Sequence, residues 1–203
     1  VSAEIESLSK EDATYTLRYT LDGKTYTEGD ITVPAGECVT VCREYTFDGV
    51  KDYNIGAPNL YTLCTGLCCG ETVVDDLIDR VAFREIKVDG KKLLLNGKPL
   101  RLLGFNRHED YNALGSSVPL QAMMRDLALI KEAGANSVRT CHYPNDELFL
   151  DLCDELGLLV KDEVFDEWRH IGNAGKRKDG YTRLFDEWHE RDVRAWGRAN
   201  RNH

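Results

Sequence analysis

The hydrophobic pattern of this 203-residue chain changes near residue 88, and that change limits which folds are open to it. Before residue 88, short β-rich runs alternate with turn signals such as Asp22-Gly23 and Pro34-Ala-Gly36. Strands at this spacing predict an immunoglobulin-like antiparallel β-sandwich over residues 1–88. The predicted strands are 13–21, 25–28, 31–33, 37–45, 60–67, 72–74 and 79–88.

From residue 89 onward the pattern becomes strand–helix–strand–helix, which is typical of a parallel sheet with right-handed crossovers. Apolar residues at helical spacing predict three helices, the first with Ser117 as its N-cap and Gly134 as its stop. A complete eightfold barrel takes about 250 residues. Residues 89–203 are therefore predicted to be the N-terminal portion of a (β/α)₈ TIM barrel. The expected strands are 100–103, 137–139 and 158–160, and the expected helices are 119–133, 146–156 and 181–199.

Composition excludes some classes of partner. The net charge of −9 argues against nucleic acid or an anionic membrane surface, because both attract positive patches. No apolar run approaches the roughly 18 residues that a membrane span needs. The seven cysteines include no C-x-x-C pair, so we expect small buried hydrophobes in a reducing cytoplasm, not a disulfide framework.

Polar residues follow each of the three predicted barrel strands, at 104–110, 139–144 and 162–168. The carboxyl ends of parallel strands meet at one rim, so these clusters are expected to converge. Hydrogen-bonding groups beside aromatic faces, here Phe105 and Trp168, are what sugar recognition needs. The candidate substrate-binding or site-supporting residues are Asn106, His108, Arg139, His142, Asp162 and Glu163.

Each candidate also has a structural explanation that stays open at this point. His142 precedes Tyr143-Pro144 and could brace a turn. Arg139 could satisfy loop carbonyls or pair with Glu163. Asp162 and Glu163 could accept hydrogen bonds from the backbone of a neighbouring loop. Cys64 with Cys68-Cys69 could bind a soft metal, although burial as small hydrophobes is the favoured interpretation.

Residues 93–167 resemble glycoside hydrolase family 2, the group of β-galactosidases and β-glucuronidases. The sequence departs from the family pattern at Lys161, where an apolar residue is usual. Upstream, Pro58-Asn-Leu-Tyr61 and Leu94-Leu-Asn-Gly-Lys-Pro-Leu100 resemble the family's passage from sandwich to barrel. The residues that match the family's first signature are Asn136, Val138, Arg139, Thr140-Cys141, His142-Tyr143-Pro144, Asp154 and Gly157.

Asn200-Arg-Asn-His203 matches the start of the family's second signature, which continues to an Asn-Glu pair. The resemblance implies a retaining exo-β-glycosidase that uses two carboxylates about 5–5.5 Å apart. Both catalytic glutamates, the acid/base and the nucleophile, are expected after His203, so no catalytic residue is expected within the chain.

The resemblance also implies roles for residues within the chain. His108 and His142 would bind sugar hydroxyls, and Arg139 would lie beside the nucleophile. Glu167 matches a magnesium-binding position of some relatives, although Arg169 replaces a family histidine. No other cofactor is expected.

The segments Phe149-Leu-Asp-Leu-Cys-Asp154 and Asp162-Glu-Val-Phe-Asp-Glu-Trp168 resemble β-galactosidases more than β-glucuronidases. This resemblance implies hydrolysis of terminal β-galactosides in a β-linked oligosaccharide or glycoside. The alternatives are a β-glucuronidase of the same family and a non-catalytic carbohydrate-binding or scaffold module. The full-length enzyme is expected to be a homo-oligomer.

We predict that the 203-residue chain alone has no glycosidase activity, because neither catalytic glutamate of the family pattern lies in it. The measurement is hydrolysis of an aryl β-galactoside by the purified chain. Turnover above the rate without enzyme would contradict the prediction.

Overall fold

The computed structural model describes residues 1–167 and 180–203, with twelve strands and three α-helices in that part of the chain. These residues form two compact units. The first unit is Val1–Lys51 with Leu60–Phe83, and the second is Asp52–Asn59 with Arg84–His203. The segment Asp52–Asn59 thus groups with the second unit, although it lies within the predicted first domain.

The first unit contains two antiparallel sheets. The smaller sheet pairs β1 with β4, and the larger has the strand order β3-β2-β5-β6. The strands of this unit are β1 (Ser2–Glu6), β2 (Ala13–Leu21), β3 (Lys24–Val33), β4 (Cys38–Cys42), β5 (Tyr61–Cys69) and β6 (Thr72–Val81).

Both sheets contribute side chains to one hydrophobic core. Ile5 and Val41 come from the smaller sheet, and Leu17, Tyr19 and Val33 come from the larger. Two sheets around a shared core form the layers of a β-sandwich. The specifically immunoglobulin-like topology stays a prediction.

Residues 25–28 and 31–33 were predicted as two strands, but both lie in the single strand β3. The pairing runs Tyr15 with Ile31 and Leu17 with Glu28, so two residues of β3 face one residue of β2. Gly29-Asp30 is therefore a β-bulge within a continuous strand and not a turn.

The second unit begins with three antiparallel strands in the order β7-β8-β9, followed by a parallel sheet in the order β10-β11-β12. Helices separate the parallel strands, as the sequence predicted. The strands are β7 (Ile86–Asp89), β8 (Lys92–Leu95), β9 (Lys98–Leu100), β10 (Gly104–His108), β11 (Ser137–Cys141) and β12 (Leu159–Lys161). The helices are α1 (Leu120–Glu132), α2 (Glu147–Leu156) and α3 (Phe185–Asn200).

The first parallel strand lies further along the chain than predicted. Residues 100–103 were expected to form it, but the strand is Gly104–His108, which the sequence analysis assigned to the following loop. A Cβ atom at Gly104 would lie 2.2 Å from the backbone oxygen of Ser137. Glycine therefore permits the close approach of β10 to β11.

The helix ends agree with the predictions in part. Asp146 caps α2 by accepting a hydrogen bond from the Leu148 amide, and Gly157 ends that helix in the left-handed conformation, with φ of 69°. The prediction of Ser117 as the N-cap of α1 was wrong. That position is occupied by Pro119, and no side chain caps the helix.

The third predicted helix begins as a 3₁₀ turn, Tyr181–Arg183, before α3. Trp188 and Trp196 of α3 are only partly buried. None of the helices in residues 1–167 and 180–203 is both long and apolar enough to cross a membrane.

A hydrophobic core joins α1 and α2 to one face of the parallel sheet. Val138 of β11 packs in this core with Leu127 of α1 and with Phe149 and Leu150 of α2. All four are almost fully buried. Asp52–Asn59 is tied to the same unit, because Tyr53 donates a hydrogen bond to the backbone oxygen of Asp154 at 3.0 Å.

We predict that Leu127→Ala lowers the free energy of unfolding by about 2–5 kcal/mol, because it leaves a cavity at a fully buried position. Leu129→Ala in the same helix is the matched control, since Leu129 is 54% exposed and Leu127 is 0% exposed. The measurement is urea unfolding followed by circular dichroism. Equal midpoints for the two variants would contradict the assignment of the core.

Candidate functional site

Strand alternation divides the parallel sheet into two faces. Val138 points toward the helices, so Arg139, the next residue, points to the opposite face. The register places Asn106 beside Arg139 and Arg139 beside Lys161. These three residues form a row across β10, β11 and β12 on the face away from the helices.

A carboxylate joins two of the predicted site residues beyond the ends of the strands. Glu163 accepts a hydrogen bond from Arg139 Nε at 2.6 Å and one from His142 Nδ1 at 2.9 Å. The backbone amide of Glu163 donates to Thr140 Oγ1 at 2.8 Å, which fixes the position of the carboxylate. Arg139, His142 and Glu163 therefore form one connected group.

The hydrogen-bond pattern shows which nitrogen of the His142 ring carries a hydrogen. Arg139 Nη2 lies 3.3 Å from His142 Nδ1, but a guanidinium only donates, and Nδ1 already lies closer to a carboxylate that only accepts. The shorter, charge-assisted bond to Glu163 is the stronger of the two. Nδ1 thus carries the hydrogen, and in the neutral ring Nε2 has the free lone pair.

The same contacts lower the pKa of the Glu163 carboxyl below its ordinary value. The hydrogen bond from Arg139 is the largest cause, the bond from His142 acts in the same direction, and burial opposes both. The pKa of Arg139 is raised by the same hydrogen bond. Glu163 is therefore an ionised acceptor at neutral pH.

His108 completes the group at the end of β10. Its ring centroid lies 5.3 Å from that of His142, with the two rings nearly perpendicular, and the side chain is exposed. His108, Arg139, His142 and Glu163 are thus brought together at the carboxyl ends of the three strands. Asn106 lies on the same face, two residues before His108 in β10 and beside Arg139, and it is also exposed.

Asp162 is not brought into this group. Its carboxylate accepts hydrogen bonds from Thr140 Oγ1 at 2.8 Å, Trp196 Nε1 at 2.7 Å and Asn200 Nδ2 at 2.6 Å. Asp162 thus contacts α3, whereas Glu163, the next residue, contacts Arg139 and His142 of the site. Asp162 therefore holds α3 against the sheet.

The predicted aromatic faces do not join the group among the described residues. Phe105 lies beside Val138 in the register and therefore on the helix-facing side of β10. Trp168 and Arg169 lie outside the described residues.

Glu167 accepts a hydrogen bond from Thr182 Oγ1 at 3.3 Å. Within residues 1–167 and 180–203, no group of three metal-ligating side chains includes Glu167.

A buried arginine holds the rim of the site in place from the helix side. Arg107 donates from Nε to Asp126 of α1 at 3.1 Å and from Nη1 to Asn145 at 3.1 Å, and its guanidinium lies 4.1 Å from the centroid of the Phe149 ring. Asn145 is close in sequence to His142. Arg107 thus ties the loop after β11 to both helices.

Sequence reasoning overlooked Cys141 as a member of the site. Cys141 lies beside His108 in the strand register and is fully buried. It was treated as a small hydrophobe because a single cysteine carries no pairing signal. The useful signal was its place directly before His142, at the end of a strand.

The second unit is the parallel β/α portion of a barrel with a polar group at the strand ends, which is the arrangement of barrel enzymes. Residues 86–191 match the family model described as the TIM barrel domain of glycosyl hydrolases family 2. The chain belongs to glycoside hydrolase family 2, as the sequence motifs indicated.

Individual relatives agree with this assignment. The chain is 36% identical over 170 residues to the β-galactosidase BoGH2A of Bacteroides ovatus, covering 83% of this chain and 20% of that protein. It resembles the structure of a β-galacturonidase from Eisenbergiella tayi bound to galacturonate, with a TM-score of 0.87 and 34% identity. That match covers all of this chain and 35% of the other.

A β-glucuronidase structure from Bacteroides uniformis gives a TM-score of 0.86 at 31% identity, over all of this chain and 24% of the other. The chain therefore spans about a fifth to a third of the length of these relatives.

We predict that the Arg139–Glu163–His142 group makes the free energy of unfolding decrease as the pH is lowered into the acid range. The folded pKa of Glu163 lies below the unfolded value of about 4.3. Its stabilisation is therefore present above that value and is lost as pH falls through the folded pKa. Between pH 7 and pH 3, the unfolding free energy of the wild-type chain should fall more than that of Glu163→Gln.

At pH 7, Glu163→Gln should cost about 1.5–3 kcal/mol, the scale of hydrogen bonds to a charged group. Glu132→Gln removes an exposed carboxylate from the end of α1 and serves as the control. Urea titrations at each pH provide the free energies. An equal decrease in unfolding free energy between pH 7 and pH 3 for wild type and Glu163→Gln would contradict the prediction.

Proposed function

We propose that the full-length enzyme is a retaining exo-β-glycosidase that hydrolyses terminal β-galactosides, and that this chain supplies one wall of its sugar pocket. The observation that carries the proposal is the convergence of His108, Arg139, His142 and Glu163 on one exposed edge of the parallel sheet. Family membership supports the reaction class, and the β-galactosidase BoGH2A supports the choice of sugar.

The geometry suits recognition of hydroxyl groups. A sugar hydroxyl both donates and accepts, so it needs partners of both kinds. Nε2 of His142 offers an acceptor because Nδ1 is committed to Glu163, and the exposed His108 ring offers a second imidazole beside it. Glu163 holds His142 in one orientation, which reduces the ordering cost of binding.

Glu163 itself is a poor choice for either catalytic carboxylate. A general acid needs a raised pKa, whereas Arg139 and His142 lower the pKa of Glu163. A nucleophilic carboxylate is ionised as Glu163 is, but the family pattern places the nucleophile at a different glutamate, after His203. We therefore assign Glu163 to positioning, and we propose that two further glutamates of the enzyme act as acid/base and nucleophile.

A second candidate substrate class is the β-uronides. Two structurally similar proteins are a β-galacturonidase and a β-glucuronidase. A uronate carboxylate needs a cationic partner. Lys161 provides a charge on the site face, since its side chain is 65% exposed and Nζ lies 3.9 Å from Glu163 Oε1. Residues beyond this chain would also contribute to the choice of sugar.

A substrate panel separates the two candidates. The full-length enzyme is assayed with aryl β-galactoside, β-galacturonide, β-glucuronide and β-mannoside. The highest kcat/KM on the galactoside supports the proposal, and the highest value on either uronide transfers the assignment to a β-uronidase. Reaction with retention of anomeric configuration, followed by NMR, is expected for either sugar.

We predict that His142→Ala and His108→Ala each lower kcat/KM of the full-length enzyme on its best substrate about 10- to 100-fold. Loss of one hydrogen bond to substrate, at about 1–3 kcal/mol, accounts for this range. His189→Ala is the control, because His189 lies on α3 and contacts the backbone oxygen of Phe185. Unchanged kcat/KM in both site variants would contradict a role in sugar binding.

Magnesium at Glu167, homo-oligomeric assembly and a cytoplasmic location stay predictions for the full-length enzyme. Each has a direct measurement. Activity after treatment with a chelator tests the metal, light scattering tests the assembly, and cell fractionation tests the location.

A further inference from the structure

A cysteine and two histidines meet at the end of the parallel sheet. The ligand atoms of His108, Cys141 and His142 all lie within 4.8 Å of one another. The strand register explains this grouping, because His108 ends β10 directly beside Cys141, which ends β11, and His142 follows at once. Cys141 is fully buried, His142 is partly buried and His108 is exposed, so the thiol lies beneath two imidazole rings.

The three ligand atoms, one sulfur and two imidazole nitrogens, determine which metal ions the group can bind. One thiol with two imidazoles suits zinc and similar ions of borderline softness, whereas magnesium and calcium require oxygen ligands. Three protein ligands with a fourth position left for water match the pattern of an open zinc site. This set differs in both residues and chemistry from a magnesium position at Glu167.

Glu163 adds a second, independent feature of a metal site. Its carboxylate accepts a hydrogen bond from His142 Nδ1 at 2.9 Å, so the lone pair of that ring is on Nε2. A carboxylate that orients a histidine in this way is the usual outer partner of a metal-bound imidazole. Glu163 thus holds one nitrogen of the His142 ring and leaves the other for a metal.

We propose that His108, Cys141 and His142 form a binding site for Zn²⁺. This inference goes beyond the proposed glycosidase function, and a bound Zn²⁺ would compete with a sugar hydroxyl for Nε2 of His142. Metal–ligand bonds of about 2.0–2.3 Å place tetrahedral ligand atoms roughly 3.5 Å apart. The ligand atoms lie within 4.8 Å of one another, so the group must close by at most about 1.3 Å. Binding replaces the thiol proton of Cys141, which passes to solvent.

The test uses the 203-residue chain with its exposed cysteines removed, so that other thiols do not bind the probe. Zinc chloride is titrated into this background by calorimetry, and Co²⁺ is added separately as a spectroscopic probe of thiolate ligation and tetrahedral geometry. We expect one thiolate-ligated Co²⁺ per chain and Zn²⁺ binding to the same site with a micromolar Kd. The background variant carries C38S, C42S, C64S and C69S, which are all exposed positions.

Substitutions on that background identify the ligands. His108→Ala should weaken Zn²⁺ binding at least tenfold, and Cys141→Ser should remove the thiolate-to-cobalt absorption. His189→Ala and Cys153→Ser should leave the Kd unchanged. His108 is exposed, so His108→Ala keeps the test valid even if Cys141→Ser fails to fold, as checked by circular dichroism. The proposal is overturned if the background binds no Zn²⁺ at millimolar concentration, or if His108→Ala binds it as tightly as the background.

Discussion

The ion pair between Arg139 and Glu163 is the interaction on which the site depends. It keeps Glu163 ionised, and the ionised carboxylate then fixes the tautomer and orientation of His142. Removing Arg139 would leave Glu163 with the hydrogen bond from His142 alone, and removing Glu163 would take from Arg139 and His142 their shared acceptor. The sugar-binding and zinc-binding proposals both rest on His142 being held in this way.

Side chains on the opposite face of the sheet hold the site in place. Arg107 and Asp162 point toward the helices and fasten α1, α3 and the loop after β11 to the strands. Neither faces the pocket, yet both position residues that do. Some polar residues at the strand ends therefore face the site, and others hold the helices to the sheet. Strand alternation determines the face to which each strand residue points.

The sequence predicted the strand–helix order of the second unit because apolar spacing reports burial directly. It predicted the end of α2 at Gly157 for the same kind of local reason, since glycine adopts positive φ at little cost. It misplaced the first barrel strand because Gly104 looks like a turn residue, and only the approach of Ser137 explains why glycine belongs there. It divided β3 into two strands at Gly29-Asp30 because a bulge is defined by the partner strand.

For the site, the sequence by itself determined which chemical groups follow each strand, and the motif around Arg139 and His142 determined the family. Only the tertiary structure decided that Glu163 and not Asp162 joins that group, and that Cys141 lies under the two histidines. These assignments depend on strand register and on the face to which each side chain points. Both are set by pairing between segments far apart in the chain, so no local pattern contains them.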